Sequence, residues 1–131
     1  MVIDTSALVA ILVGEPSREA LLRAAGSASK RIVSAVSLLE AGMVLRARSG
    51  EAALPLLYEL IEGLACEVAA FDQSQAKRAI AAFGRFGKGM GHRARLNFGD
   101  CAVYALAAER NEPILAIGND FPATGIGVVR L

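Results

Sequence analysis

Short apolar runs rich in β-branched residues alternate with longer amphipathic stretches, and this alternation limits the chain to very few architectures. Met1-Val2-Ile3 is followed by Asp4-Thr5-Ser6, whose side chains suit a helix cap, and then by the apolar stretch Ala7 to Leu12. Gly14-Glu15-Pro16 breaks that helix, and Ser17 to Ala25 restarts it with Ala20, Leu21 and Ala24 on one face. Arg31-Ile32-Val33 reads as the next strand. Ser34 is placed to cap a helix running to about Ser49 and ended by Gly50. Glu51 to Glu62 is helical, with Pro55 tolerated near its first turn and Leu56, Leu57, Leu60 and Ile61 as an apolar stripe. Cys66 to Phe71 is a strand, Asp72 caps a helix to about Phe86, and a further helix runs from about Asp100 to Arg110. Pro113 to Ile117 and Gly127 to Leu131 read as the last strands.

Strands that alternate with helices in this way form a mostly parallel sheet covered on both faces. The expected fold is α/β, one domain over 1–131, with about four to five strands flanked by helices. In such folds ligands sit beyond the carboxyl ends of the strands.

Length and composition agree with a single domain. The chain has 131 residues, enough for one core, and no uncharged apolar run of the roughly 18 residues that a membrane helix needs. Met1 to Asp4 lacks the sections of a secretory signal, so the expected location is cytoplasmic. Cys66 and Cys101 are far apart and form no CxxC pair, which argues against zinc and against a disulfide framework. The net charge of +1 exerts no overall pull on a polyanion, so any such site must be local. One local cluster exists. Lys77, Arg78, Arg85, Lys88, His92, Arg93 and Arg95 fall in a stretch without Asp or Glu, crossed by Gly84, Gly87, Gly89 and Gly91. It is expected to be the least ordered part of the chain and able to face phosphates.

Four acidic residues are the candidates for chemistry. Asp4 directly follows the first strand, where it can cap a helix and also lie at the carboxyl edge of the sheet. Glu40 sits inside a helix among Val36, Ser37, Met43 and Val44, a largely apolar face on which a carboxylate is costly unless something compensates it. Asp100 shares a helical face with Val103, Tyr104 and Ala107, an alignment that a favourable helix dipole does not by itself explain. Asp120 follows the strand ending at Ile117 through Gly118-Asn119, where turn chemistry is the competing explanation. Such groups can converge on one pocket. A site of oxygen ligands without matching Cys or His suits a hard cation, Mg²⁺ or Mn²⁺, and so in-line phosphodiester cleavage, with Thr5 and Ser6 able to orient carboxylates.

The segments Val2-Ile3-Asp4-Thr5-Ser6-Ala7-Leu8, Leu39-Glu40-Ala41, Asn97-Phe98-Gly99-Asp100-Cys101 and Gly118-Asn119-Asp120-Phe121 resemble those of the PIN-domain ribonucleases, and within them the VapC-type toxins. The resemblance covers nearly the whole chain in order and spacing. It implies a Mg²⁺- or Mn²⁺-dependent endoribonuclease acting on RNA, a small VapB-type antitoxin as partner, and a homodimer. It matches Asp4, Glu40 and Asp100 to the family's acidic residues. For the fourth, relatives use the position of Asn119 or that of Asp120; here only Asp120 is charged, leaving Asn119 as a neighbour. Lys88, His92, Arg93 and Arg95 are the expected RNA contacts. A PIN-like module that binds RNA or protein without cleaving is the alternative reading, and the four acidic candidates weigh against it.

Overall fold

The computed structural model describes residues 1–131. In chain order the elements are β1 (Val2–Ile3), α1 (Thr5–Val13), α2 (Arg18–Ser27), β2 (Ile32–Ser34), α3 (Ala35–Ser49), α4 (Ala53–Gly63), β3 (Glu67–Ala69), α5 (Gln73–Phe86), α6 (Phe98–Arg110) and β4 (Ile114–Leu115), then a 3₁₀ turn at Pro122–Thr124. The four strands form one sheet in the order β3-β2-β1-β4, and every pairing is parallel.

Alternation along each short strand divides the core into two layers. Val2, Ile32 and Ile114 point to one face, where α5 and α6 cover them with Phe86, Val103 and Leu106, and the segment between those helices adds Leu96. Ile3, Val33 and Leu115 point to the other, against Leu8, Ile11, Leu21, Leu45 and Leu57 of α1 to α4. Leu8 and Leu106 are fully buried on opposite sides, so truncation of either to Ala costs about 2–5 kcal/mol.

The strand order places a topological switch at β1. The chain leaves β1 for β2 on one side and returns to pair β4 on the other, so the carboxyl ends of β1 and β4 flank a crevice. Asp4 stands there, its backbone N–H donating to the Leu115 carbonyl at 3.0 Å.

Three expectations are modified. The last segment does not become a fifth strand: it touches the sheet through one parallel bridge, Ile114 to Val128, because β4 is too short to offer a longer ladder. Helix α6 starts at Phe98 with Asn97 as its cap, two residues before the expected start, because Asn97 and Asp100 form a reciprocal capping box. The glycine-rich segment is closed at its neck by backbone hydrogen bonds. Lys88 N–H donates to the Leu96 carbonyl at 2.9 Å, Leu96 N–H donates to the Phe86 carbonyl at 2.8 Å, and Ala94 and Leu96 are buried, so the neck is pinned despite its glycines.

Candidate active site

At the crevice between β1 and β4 lies a cavity of about 320 Å³ lined by Asp4, Thr5, Ser6, Glu40, Asn97 and Asp100 among its polar residues. Separate segments supply them. Asp4 comes from the end of β1, Glu40 from the second turn of α3, and Asn97 with Asp100 from the start of α6.

Each carboxylate is held by its own local structure. Asp4 is 5% exposed, and its Oδ2 accepts the Ser6 amide at 2.9 Å and the Ser6 hydroxyl, so it is the cap of α1 and a wall of the cavity at once. Ser6 Oγ also accepts the Ile117 amide at 3.0 Å, which ties the end of β1 to the chain leaving β4. Glu40 Oε2 accepts from the Thr5 hydroxyl at 3.0 Å, and Asp100 Oδ2 accepts the Asn97 amide at 2.9 Å. Oε1 of Glu40 and Oδ1 of Asp100 have no hydrogen-bond donor.

Burial and crowding disfavour charge here. Burial raises Asp4 above the usual carboxylate range, against the opposing pull of its bonds from Ser6. Asp100 is pushed up to about 6, first by burial and then by repulsion from Asp4, Asp120 and Glu40, with the Asn97 amide pulling the other way. Burial, reinforced by Asp100, lifts the Cys101 thiol to about 11, which keeps it protonated and inert.

The donor set fits a hard cation. Carboxylate oxygens that repel one another, two of them lacking a donor, are relieved by one or more divalent ions with oxygen preference. As the side chains stand, no three of them close on one coordination point.

The remaining candidates lie outside the cavity. Asp120 is exposed and near enough to raise Asp100, but it does not line the cavity; neither does Asn119, whose side chain makes no hydrogen bond. Ile117 occupies that corner. Lys88, Arg93 and Arg95 are exposed on the pinned segment. His92 is half-buried, its ring edge-on to Phe86 at 4.9 Å and its Nδ1 accepting the Ala94 amide at 3.1 Å, so only its other nitrogen is free for an outside contact. Glu40 faces the cavity, but not through the stripe expected for it. The core stripe of α3 is Ser37, Ala41 and Leu45, and Met43 is 64% exposed. Glu15 also lines the cavity, a position that helical spacing does not single out. Its only mark in the sequence is the helix break Gly14-Glu15-Pro16, whose left-handed Gly14 turns the chain back over the site.

Comparison with known proteins places this geometry. The PIN domain family model matches residues 1–127. Ribonuclease VapC28 of Mycobacterium tuberculosis is 46% identical over 126 residues, spanning 96% of this chain and 95% of its own. Among solved structures, Mycobacterium tuberculosis VapC20, a toxin described as cleaving the sarcin-ricin loop, superposes with a TM-score of 0.82 at 22% identity, covering 99% of this chain and 98% of its own. A toxin-antitoxin complex from Klebsiella pneumoniae gives 0.71 at 17% identity, covering 98% and 95%. With carboxylates gathered at the β1 switch point and a family model spanning nearly its whole length, the chain belongs to the PIN-domain family, among its VapC ribonucleases.

Proposed function

We propose that this chain is a Mg²⁺- or Mn²⁺-dependent endoribonuclease toxin that acts in the cytoplasm as a homodimer and is silenced by a VapB-type antitoxin. The observation that carries the reading is the convergence of Asp4, Glu40 and Asp100 on one cavity, with Asp120 at its edge. These four residues would hold the ion, Asp120 being the outermost. When bound, such an ion polarises the scissile phosphate and makes water a stronger nucleophile.

The chain's own groups do the positioning. Ser6 fixes Asp4, Thr5 fixes Glu40 and Asn97 fixes Asp100, so the carboxylates need little reorganisation when charge develops on the phosphate. Lys88, Arg93 and Arg95 supply positive charge for flanking phosphates, and His92 one further contact. Leu39, Met43, Leu56 and Tyr58 are exposed apolar residues on α3 and α4, a surface of the kind a protein partner covers. No helix is long and apolar enough to cross a membrane.

The test is cleavage of structured RNA by the purified chain with Mg²⁺, with Mn²⁺ and with EDTA, beside Asp4→Asn and Asp100→Asn. Cleavage that needs the metal and is lost in both variants is expected. Metal-independent cleavage, or full activity in both variants, sinks the mechanism; RNA binding without any cleavage favours a silent module.

A further inference from the structure

The carboxylate cavity shares one wall with a larger groove, of about 570 Å³, beside β4 at the edge of the sheet, and that wall is Ile117. Three pieces of chain build the groove: Ala116 to Gly118 on leaving β4, Ile126 after the 3₁₀ turn, and Val128 and Arg130 in the terminal segment. Each piece is held. The Ile117 amide donates to Ser6 Oγ at 3.0 Å, and the Ser6 hydroxyl donates in turn to Asp4. Thr124 Oγ1 accepts the Ile126 amide at 3.2 Å, and the Val129 amide donates to the Ile114 carbonyl at 2.9 Å. Ile117, 39% exposed, is thus a fixed apolar ridge between the carboxylates and the groove.

We propose that this groove receives the unpaired base next to the cleaved phosphate of the RNA, with Ile117 as the residue that sets which nucleotide is accepted. It rests on the ribonuclease reading and names the part of the substrate that the same site selects. Continuity is the first support. Ile117 lines both spaces, so a strand whose phosphate lies against the carboxylates crosses Ile117 with its neighbouring nucleotide in the groove. The hydrogen bonds from Ile117 through Ser6 to Asp4 hold that ridge in register with the reacting centre, which is what a specificity contact needs. The lining is the second support. Ile117, Ile126 and Val128 offer apolar faces to a base, while Gly118 and Arg130 have amides that donate to no group of the chain and are free for a base edge or a ribose. Arg130 is the one charged side chain among the lining residues, and its sign suits the next phosphate.

The groove's volume falls within the roughly 300–1,000 Å³ of small-molecule pockets, the scale of one nucleotide. A paired base cannot leave its stack to enter it, so the groove selects a loop, bulge or single strand. The exposed apolar residues suited to a protein partner, Leu39, Met43, Leu56 and Tyr58, are on α3 and α4, and none of them lines it. Because Ile117 bounds the groove with an aliphatic side chain, a change of a few carbon atoms there alters which base fits best.

Binding is measured by fluorescence anisotropy in an Asp100→Asn background, which keeps the probe intact. The probes are a labelled RNA hairpin that the unmodified chain cuts in its loop, and the same hairpin with one abasic ribose at successive loop positions. An abasic ribose at the position next to the cut weakens binding by the parent about 10-fold. Ile117→Ala weakens binding of the intact hairpin about 5-fold and removes the penalty at that one position, whereas Ile117→Leu keeps both near the parent's values. Arg130→Gln lowers the slope of log Kd against log salt by about 0.7. Calorimetric titration with Mn²⁺ alone, with Asp100 present, gives the same affinity with and without Ile117→Ala. A positional profile that Ile117→Ala leaves unchanged overturns the proposal. A lowered Mn²⁺ affinity also overturns it, making Ile117 a prop of Asp4, as does light scattering that shows Ile117→Ala changing the oligomeric state. In parallel, cleavage is assayed with Asp100 restored. Metal-dependent cleavage whose kcat/KM and cut positions are unchanged by Ile117→Ala overturns the base groove and leaves the nuclease reading standing. Absence of cleavage by the unmodified chain overturns the nuclease reading, and this proposal with it.

Discussion

Gly99 lies against the Glu40 carboxylate so closely that a methyl group on its Cα would occupy the place of Oε2. The absence of a side chain at this position lets the start of α6 approach α3, and the helix's positive end then faces a negative charge.

Gly99→Ala therefore displaces Glu40 or pushes α6 away from it. Because the atoms displaced are the free end of the Glu40 side chain, the expected stability cost is only about 1 kcal/mol, from loss of the Thr5 bond, with a fall in kcat of about 10- to 100-fold. Gly84→Ala is the control: it lies in α5 with nothing near its Cα, and it gains about 0.5–1 kcal/mol from helix propensity. Thermal melts and single-turnover cleavage check both. A Gly99→Ala protein with normal stability and activity removes the steric account of this glycine.

Ser6 joins two halves of the site, donating to Asp4 and accepting the Ile117 amide at 3.0 Å. Ser6→Ala frees the Asp4 carboxylate to rotate and leaves the Ile117 amide without its partner. We expect a stability decrease of about 1 kcal/mol and metal affinity or kcat lower by about 10- to 100-fold. Ser6→Thr, which keeps the hydroxyl, restores most of both. Calorimetric metal titration separates this positioning role from a general failure of the fold, since a merely structural defect leaves the affinity of the folded fraction unchanged.

The parts of this molecule that are legible in the sequence are those set by periodicity and caps. Val2-Ile3, Ile32-Val33 and Ile114-Leu115 announce a parallel sheet because adjacent residues must serve opposite faces, and Asp4 is then placed by one peptide step. Asp72 and Ser34 announce helix starts by the amides they accept. What stays hidden depends on the meeting of distant segments. Glu15 enters the cavity only through the turn between α1 and α2, and the Gly87 to Leu96 bridge is a single pairing with no pattern of its own. Helical spacing puts Glu40 on an inward face but picks Met43 as its companion, because hydrophobicity alone cannot tell a core stripe from an exposed apolar one. The fourth corner stays open for a related reason: after two residues of β4 the chain is exposed, and no regular element aims Asn119 or Asp120.

Asp100 gives the metal-free protein a pH dependence with a definite sign. Its folded pKa of about 6 exceeds the ordinary value of 3.8, so between these limits the native state holds a proton that the unfolded chain has released. That stabilisation is complete below about 3.8 and disappears as pH rises through about 6; Asp4, also raised, adds in the same direction. In EDTA the melting temperature should therefore be higher at about pH 5 than at about pH 7.5. Asp100→Asn should flatten this dependence and raise the melting point at the higher pH while abolishing cleavage. Saturating Mg²⁺ or Mn²⁺ should raise the melting point more at about pH 7.5 than at about pH 5, because the ion competes with protons for the same oxygens. A metal-free melting point that rises over this pH interval contradicts the assigned burial of these carboxylates.

Lys88, Arg93 and Arg95 project from a segment whose neck is pinned between Gly87 and Leu96, so their charges have a defined position relative to the cavity. Removing them one at a time, as Lys88→Gln, Arg93→Gln and Arg95→Gln, should weaken RNA binding whatever the base sequence. For single-stranded RNA the slope of log Kd against log salt should fall by about 0.7 for each phosphate no longer neutralised. Because none of the three lines the cavity, metal binding and the pH dependence of melting should be unchanged. The decisive comparison is the triple variant: an unchanged slope makes these side chains solvated surface only, whereas a reduced slope with intact metal affinity assigns them to the path of the RNA backbone. Arg95 carries an added prediction, since its φ of 52° lies in the left-handed region. Arg95→Gly should relieve that strain and stabilise the fold even as it weakens RNA binding, separating stability from recognition at one position.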